Sequence, residues 1–361
     1  MRICIISSSK PHEGSGLGLT EYAYQLERHL KPLLSKNDRI DNIYALSEMQ
    51  KNLTAEEVYK DKAFKKVVRS LPKEKYDVIH ITDHNVGFAA KVLKESGNKA
   101  RIVTTMHNLY WLKAHSGSVK NVHDKYFSAS IKDAVEYSNF ILCNSKQTHD
   151  AIMNNFGKRK NIGIVPHGID DKIMNAPIRK KKAIGHITVG YIGALVTFKN
   201  VIFILNSAKS LRSKDYRFVI YGKGTDMKML QRFKEINGLD NLKLMGYLKE
   251  ENKVKAYDSF DAFAFPSVYE GLGAPILEAK ARKLPVILYK YGKIPKEVRK
   301  YCFEAESPEH MARIIKNLKE NGANASRLKL AAKEVEKRFA WKDTAEKTFS
   351  VYKRLISMEK K

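Results

Sequence analysis

Pro266-Ser267-Val268-Tyr269-Glu270-Gly271-Leu272-Gly273-Ala274-Pro275-Ile276-Leu277-Glu278-Ala279 is the stretch whose reading decides the fold. It sets an acid in a loop, two glycines behind it, a proline at a helix start and a second acid in the first helical turn. Apolar runs at 261–265 and 285–289 flank it as strands. Ligands in open α/β sheets bind beyond the carboxyl ends of strands, where helices begin. Gly271 and Gly273 let backbone come close to a ligand. Pro275 suits the first helical position, and a helix N-terminus attracts an anion such as a phosphate. Two carboxylates, Glu270 and Glu278, beside a phosphate site point to hydroxyl recognition on a sugar or a nucleoside. An isolated pair of this kind is more often an ordinary loop with a first-turn acid favoured by the helix dipole; the Pro-Ser before it, the Glu-Gly-x-Gly through it and the x-Pro-Val after it set this one apart.

Working outward, two successive α/β patterns emerge. Strand-like runs fall at 2–7, 41–46, 77–82, 101–106, 139–144 and 161–165, with helix-like runs such as 20–34 and 146–156 between them. After a polar, basic connector around 177–182 the pattern restarts, with strands near 187–192, 216–221, 241–245, 261–265 and 285–289. Strands alternating with helices imply parallel sheets joined by right-handed crossovers. The expectation is an α/β chain of two Rossmann-like domains facing across a cleft. Residues 1–174 form the N-terminal domain, 175–340 the C-terminal domain, and 341–361 a terminal helix packing back on the first.

The 361 residues suit about two domains. Hydrophobic residues at 43% and charged residues at 29% describe a globular chain, and no run approaches a membrane-spanning length. Cys4, Cys143 and Cys302 are scattered and odd in number, which reads as reduced core thiols of a cytoplasmic protein, neither a disulfide set nor a metal site. The net charge of +27 draws anions: phosphorylated substrates, an anionic membrane surface or nucleic acid. It equally fits a solvated lysine-rich surface. In residues 55–75, Phe64, Val67, Val68 and Leu71 make one apolar helical face among Lys62, Lys65, Lys66 and Arg69. Such a helix suits the inner face of a membrane, or ordinary packing of one face.

The Glu-x7-Glu spacing of Glu270 and Glu278 resembles the donor-site motif of the retaining glycosyltransferases of GT-B fold in family 4. Other pieces follow the family's order. Asp77-Val78-Ile79-His80-Ile81 resembles its third-strand segment, and Val165-Pro166-His167-Gly168-Ile169-Asp170 its hinge signature. Phe218-Val219-Ile220-Tyr221-Gly222-Lys223-Gly224 resembles its second-domain glycine turn, and Phe339-Ala340-Trp341 the start of its terminal helix.

The resemblance implies transfer of a sugar from a nucleoside-diphosphate donor, with retention, to a glycan, lipid-linked or other hydroxyl. A donor phosphate oxygen would take the acceptor proton, so neither a metal nor another cofactor is expected. Glu270, with the amides of Gly271, Leu272 and Gly273, would hold the sugar, and Glu278 the ribose. In the family's Gly-Arg-x-x-x-x-Lys segment this chain reads Gly193-Ala194-Leu195-Val196-Thr197-Phe198-Lys199. Lys199 would meet the diphosphate, whereas Ala194 replaces an arginine whose bidentate contact a lysine reproduces poorly. Either another cation, with Lys223 beside Gly222 the candidate, supplies the charge, or activity is reduced. Gly14-Ser15-Gly16-Leu17-Gly18 after the first strand offers amides, chiefly those of Gly16 and Gly18, to a phosphate or the acceptor. It matches neither the dinucleotide fingerprint nor a Walker A loop. His107 in Thr105-Met106-His107-Asn108 resembles the family's sugar-contacting histidine. The catalytic set is therefore His107, Lys199 and Glu270. Tyr110, Trp111 and His115 are read as core or as walls of an acceptor pocket, and Asn144, Ser145 and His167 as lining positions.

Three other readings remain open at this level. A sugar-nucleotide-binding subunit without turnover would explain Ala194, and Lys283 where the family has glycine. A nucleic-acid binder would explain the charge, but no basic stripe with interleaved aromatics appears. A glycoside hydrolase would set the two glutamates about a glycosidic bond, although one of them heads a helix beside a phosphate-type loop.

Overall fold

A computed structural model describes residues 1–8, 18–44, 59–109, 122–178 and 185–358. They form two compact units. One comprises Met1–Gly168 with Trp341–Lys361, the other Ile169–Ala340.

The first unit carries β1 (Arg2–Ser7), β2 (Arg39–Tyr44), β3 (Val78–Ile81), β4 (Arg101–Met106), β5 (Phe140–Cys143) and β6 (Ile162–Ile164) in one parallel sheet, order β2-β1-β3-β4-β5-β6. The side-chain period of two is visible in β1. Cys4 and Ile6 enter a core with Ile79, Ile81, Phe88 and Leu93, while Ile3 and Ile5 enter another with Leu26, Phe140, Trp341 and Phe349. Burial on both faces is what a parallel sheet requires. The helix Trp341–Ser357 closes the second of these cores together with the helix Gly18–Leu30. Gly168, where the chain leaves this unit, touches Trp341, where it returns. A Cβ on Gly168 would stand 2.4 Å from the Trp341 amide nitrogen, so no larger residue fits without a shift.

The second unit carries β7 (Ile187–Ile192), β8 (Tyr216–Tyr221), β9 (Leu242–Gly246), β10 (Ala262–Phe265), β11 (Val286–Tyr289) and β12 (Phe303–Ala305), also parallel, in the order β12-β11-β10-β7-β8-β9. One continuous core runs through Tyr191, Phe218, Phe263, Phe265, Ile276 and Leu277. The strand order reverses between β7 and β10, the position at which open α/β sheets bind ligands.

The α/β expectation of two parallel sheets is borne out, with four corrections. β12 was not expected. It is three residues long with Glu304 at its centre, too short to show a period. The first helix stops at Leu30, and Pro32 continues the chain as a 3₁₀ turn, Lys31–Leu33. The basic helix is only Lys62–Arg69. Phe64 and Val68 are buried, but Val67 is 48% exposed because the third-spaced residue rolls off a single-sided contact. Finally, the helix after the opening motif begins at Ala274, so Pro275 stands second and Glu278 in the second turn. Much of the 55–75 segment's start and part of the 177–182 connector lie outside the described residues. All three cysteines are buried and unpaired.

Candidate functional site

The loops that follow β7 and β10 are locked together at the reversal point. The Val268 amide donates to the Phe198 carbonyl at 2.8 Å, and Ser267 Oγ reaches the same carbonyl at 3.3 Å. A 3₁₀ turn, Thr197–Lys199, ends at Asn200 in the left-handed region (φ 53°) and so turns Lys199 toward the second loop. Lys199 Nζ meets Glu270 Oε1 at 2.6 Å, and Ser267 Oγ donates to that oxygen at 2.5 Å. Glu270 is buried, and the Lys199 ammonium also lies 5.2 Å from the Phe265 ring centre. A carboxylate this buried needs such partners, since an unpaired charge there is costly.

The glycines serve close backbone packing. Leu195 donates to the Lys223 carbonyl and Asp226 to the Leu195 carbonyl, so the loops after β7 and β8 are stitched together. A Cβ on Gly222 (φ 155°) would stand 1.9 Å from the Gly193 carbonyl oxygen, and one on Gly224 would stand 2.1 Å from that of Leu195. The loop's inner side is fixed by Tyr191, whose hydroxyl donates to the Ala194 carbonyl at 2.8 Å. Burial, and then the nearby Glu270 carboxylate, hold that phenol protonated by raising its pKa well above the usual value. Ala194 itself is exposed. Lys223 is exposed too, its ammonium 5.0 Å from the Tyr247 ring centre.

Gly271 is buried, and Leu272 points into the core, leaving its backbone as the part a ligand can meet. Gly273 adopts φ 86° at the N-cap of the Ala274–Ala281 helix, and no side chain caps that terminus. Pro275 has no N–H and Ile276 donates to the Gly273 carbonyl at 3.0 Å, so the positive end of the helix dipole, rather than a set of open amides, faces this side of the motif. One turn further on, Glu278 accepts a 2.6 Å hydrogen bond from the Tyr257 hydroxyl at Oε2, with Lys253 Nζ 3.5 Å from Oε1. Sequence reading had missed Tyr257, Lys253 and Ser267 as partners of the two glutamates. Only Ser267 lay inside the quoted motif.

In the first unit, His107 follows β4 and is buried. Its Nε2 lies 2.8 Å from the Thr82 carbonyl oxygen. A carbonyl only accepts, so Nε2 carries the proton. Burial, and then the neighbouring His167, push the His107 pKa well below 6.5, which keeps the ring neutral. Nδ1 is therefore its accepting nitrogen, suited to a hydroxyl donor. Tyr22 packs edge-on to the ring with centroids 4.4 Å apart. Asn144 donates to the His107 carbonyl at 2.8 Å, and Ser145 caps the helix Lys146–Phe156 through Thr148. Both expected lining residues thus serve local structure. His167 stacks on Trp341 with ring centroids 6.0 Å apart. Gly18 opens the first helix. Gly16, Tyr110, Trp111 and His115 lie outside the described residues.

Among the described residues no group of three or more His, Cys, Asp or Glu is arranged to hold a metal ion, and no helix is long and apolar enough to cross a membrane.

The chain matches the family described as glycosyl transferases group 1 over residues 175–335, and glycosyltransferase family 4 over 42–172. It is 26% identical over 235 residues to the Escherichia coli UDP-Gal:alpha-D-GlcNAc-diphosphoundecaprenol alpha-1,3-galactosyltransferase, spanning 60% of this chain and 59% of that relative. In fold it resembles sucrose-phosphate synthase from Thermosynechococcus elongatus (TM-score 0.84, 17% identity, 99% of both chains). It also resembles Anabaena HepE in complex with UDP and glucose (TM-score 0.72, 14% identity, 96% of this chain and 98% of that one). These likenesses are to GT-B proteins of two Rossmann-like domains.

Proposed function

This chain belongs to the group 1 glycosyl transferases of family 4, and on that premise we propose that it transfers a sugar, with retention, from a nucleoside-diphosphate sugar to a hydroxyl of a glycan or lipid-linked acceptor. The observation that carries this reading is the gathering of Lys199, Ser267 and Glu270 at the β7–β10 reversal point. Glu278 follows on the adjoining helix.

In this reading Glu270 and the amides of Gly271 to Gly273 hold the sugar hydroxyls, Glu278 holds the ribose, and Lys199 meets the diphosphate. The bond from the anomeric carbon to the leaving phosphate oxygen breaks as the acceptor oxygen bonds on the same face. The acceptor proton passes to that phosphate oxygen. Charge growing on the diphosphate is met by the lysine and by the uncapped helix terminus, which lowers the barrier without a metal. His107, in the first unit, is neutral with Nδ1 as acceptor and is suited to a hydroxyl donor. The +27 charge, with Lys62, Lys66 and Arg69 on one short helix, suits work at an anionic membrane surface on the cytoplasmic side.

Calorimetry with UDP, GDP, ADP and their common sugar conjugates tests the donor reading, followed by transfer assays. Selective binding of one nucleotide, weakened by Glu278→Ala, is expected. Glu270→Ala and Glu278→Ala should each abolish transfer while the fold persists. Full activity in either variant overturns the assignment.

A further inference from the structure

The helix Lys253–Asp258 presents Lys253 and Tyr257 one turn apart, on one face, to a single carboxylate. Tyr257 is fully buried, its ring held against Phe260 and Phe263. Its hydroxyl donates to Glu278 Oε2 at 2.6 Å, with the Pro275 carbonyl farther off at 3.5 Å, so the carboxylate is its main acceptor. Lys253 is shared: its ammonium lies 2.8 Å from Glu250 and 3.5 Å from Glu278 Oε1. Glu278 is thus buried, oriented by a neutral donor at one oxygen and approached loosely by a cation at the other.

Nothing about Glu278's own helix requires this arrangement. Lys253 pairs with both glutamates, but it lies closer to Glu250 than to Glu278, whose ion pair is the longer of the two. A carboxylate offers about four lone-pair sites. The tyrosine occupies one and Lys253, at 3.5 Å, approaches another, so lone pairs are left for further donors. Two adjacent hydroxyls on a five-membered sugar are donors of the right number and spacing for what remains.

We infer that Tyr257 and Lys253 are positioning residues that aim Glu278 at a vicinal ribose diol, so that discrimination between a ribonucleotide and its 2′-deoxy counterpart depends on them. The inference rests on the donor-site reading above and names what holds its ribose contact in place. Neither residue touches the nucleotide. Tyr257 acts by fixing the carboxylate plane, and Lys253 by balancing the second charge of the Glu250 and Glu278 pair.

The test is calorimetry on the full chain with UDP, GDP and ADP and the 2′-deoxy form of each. Wild type should prefer one ribonucleotide over its deoxy form by about tenfold, the value of a hydrogen bond to a charged group. Tyr257→Phe should shrink that preference severalfold by weakening the ribo form alone, and Lys253→Met should shrink it less. Equal losses for both forms in Tyr257→Phe would reduce the tyrosine to a packing residue and overturn the inference. An unchanged preference in both variants, with Glu278→Gln erasing it, would overturn the inference while the donor site stands. No preference in wild type, or one that survives Glu278→Gln, would remove the donor-site reading and the inference with it. Lys253→Met keeps most of the volume of a side chain that is 19% exposed and leaves the Tyr257 contact in place, so it keeps the test decisive should Tyr257→Phe not fold.

Discussion

Lys199 Nζ and Glu270 Oε1 stand 2.6 Å apart, the cation from the loop after β7 and the carboxylate from the loop after β10. The residue assigned to the diphosphate and the residue assigned to the sugar are therefore partners before any donor arrives. Lys199 has three donor hydrogens, so a donor phosphate is met by sharing the ammonium, with Ser267 remaining on the carboxylate.

Breaking this pair should cost stability as well as rate. Side-chain exposure is 15% for Lys199 and 7% for Glu270, so either partner left alone is a poorly solvated charge. Lys199→Met is expected to destabilise the protein by about 3 kcal/mol and to lower transfer by about 100-fold. Lys199→Met with Glu270→Gln should regain much of the stability and none of the activity. Urea midpoints set beside transfer rates separate the two effects. A single variant as stable as wild type would mean the pair is not buried in solution.

Ala194 is exposed, and its carbonyl is engaged by the Tyr191 hydroxyl. Ala194→Arg should therefore be accepted by the fold and should bind a nucleoside diphosphate about tenfold more tightly through a charge-assisted contact. Isothermal titration measures this. Unchanged affinity would place the diphosphate away from this loop.

His80 is fully buried between the Tyr352 hydroxyl and Thr105 Oγ1, and burial pushes its pKa from 6.5 to about 3. The unfolded chain binds this proton more readily than the native one. The stabilisation is thus complete above about pH 6.5 and lost as pH falls toward 3, at up to about 1.4 kcal/mol per pH unit. Stability measured between pH 7 and 4 should fall less steeply in His80→Gln than in wild type. Parallel profiles would show that the native histidine titrates normally.

Lys283 ends the Ala274–Ala281 helix in the left-handed region, φ 56°. Its amide bonds to the Lys280 carbonyl and that of Leu284 to Ala279, the Schellman pattern that favours glycine at this position. Its side chain is exposed. Lys283→Gly is expected to stabilise by about 1 kcal/mol with transfer unchanged. A thermal melt that moves downward would show that the lysine side chain contributes a contact outweighing its backbone strain.

Much was legible in the sequence because parallel strands are buried on both faces and read as continuous apolar runs. The runs at 2–7, 101–106, 187–192 and 216–221 match their strands residue for residue. The helix at 146–156 was equally clear, with Ser145 as its cap. β12 was not legible, since three residues around an exposed glutamate carry no period. Val67 misled because helical spacing predicts a face without saying how wide a neighbour will cover it.

Sequence alone determined the α/β class, the glycine-rich loop between strand and helix, and the two glutamates eight positions apart. These are local properties: strand runs, turn chemistry and helix starts are set by neighbouring residues. Tertiary structure decided what each glutamate faces. Lys199 is 71 positions from Glu270 and Tyr257 is 21 from Glu278. No local pattern encodes such pairings. They exist because the sheet order places β7 beside β10, and because a buried carboxylate must find donors in whatever element the packed core sets against it.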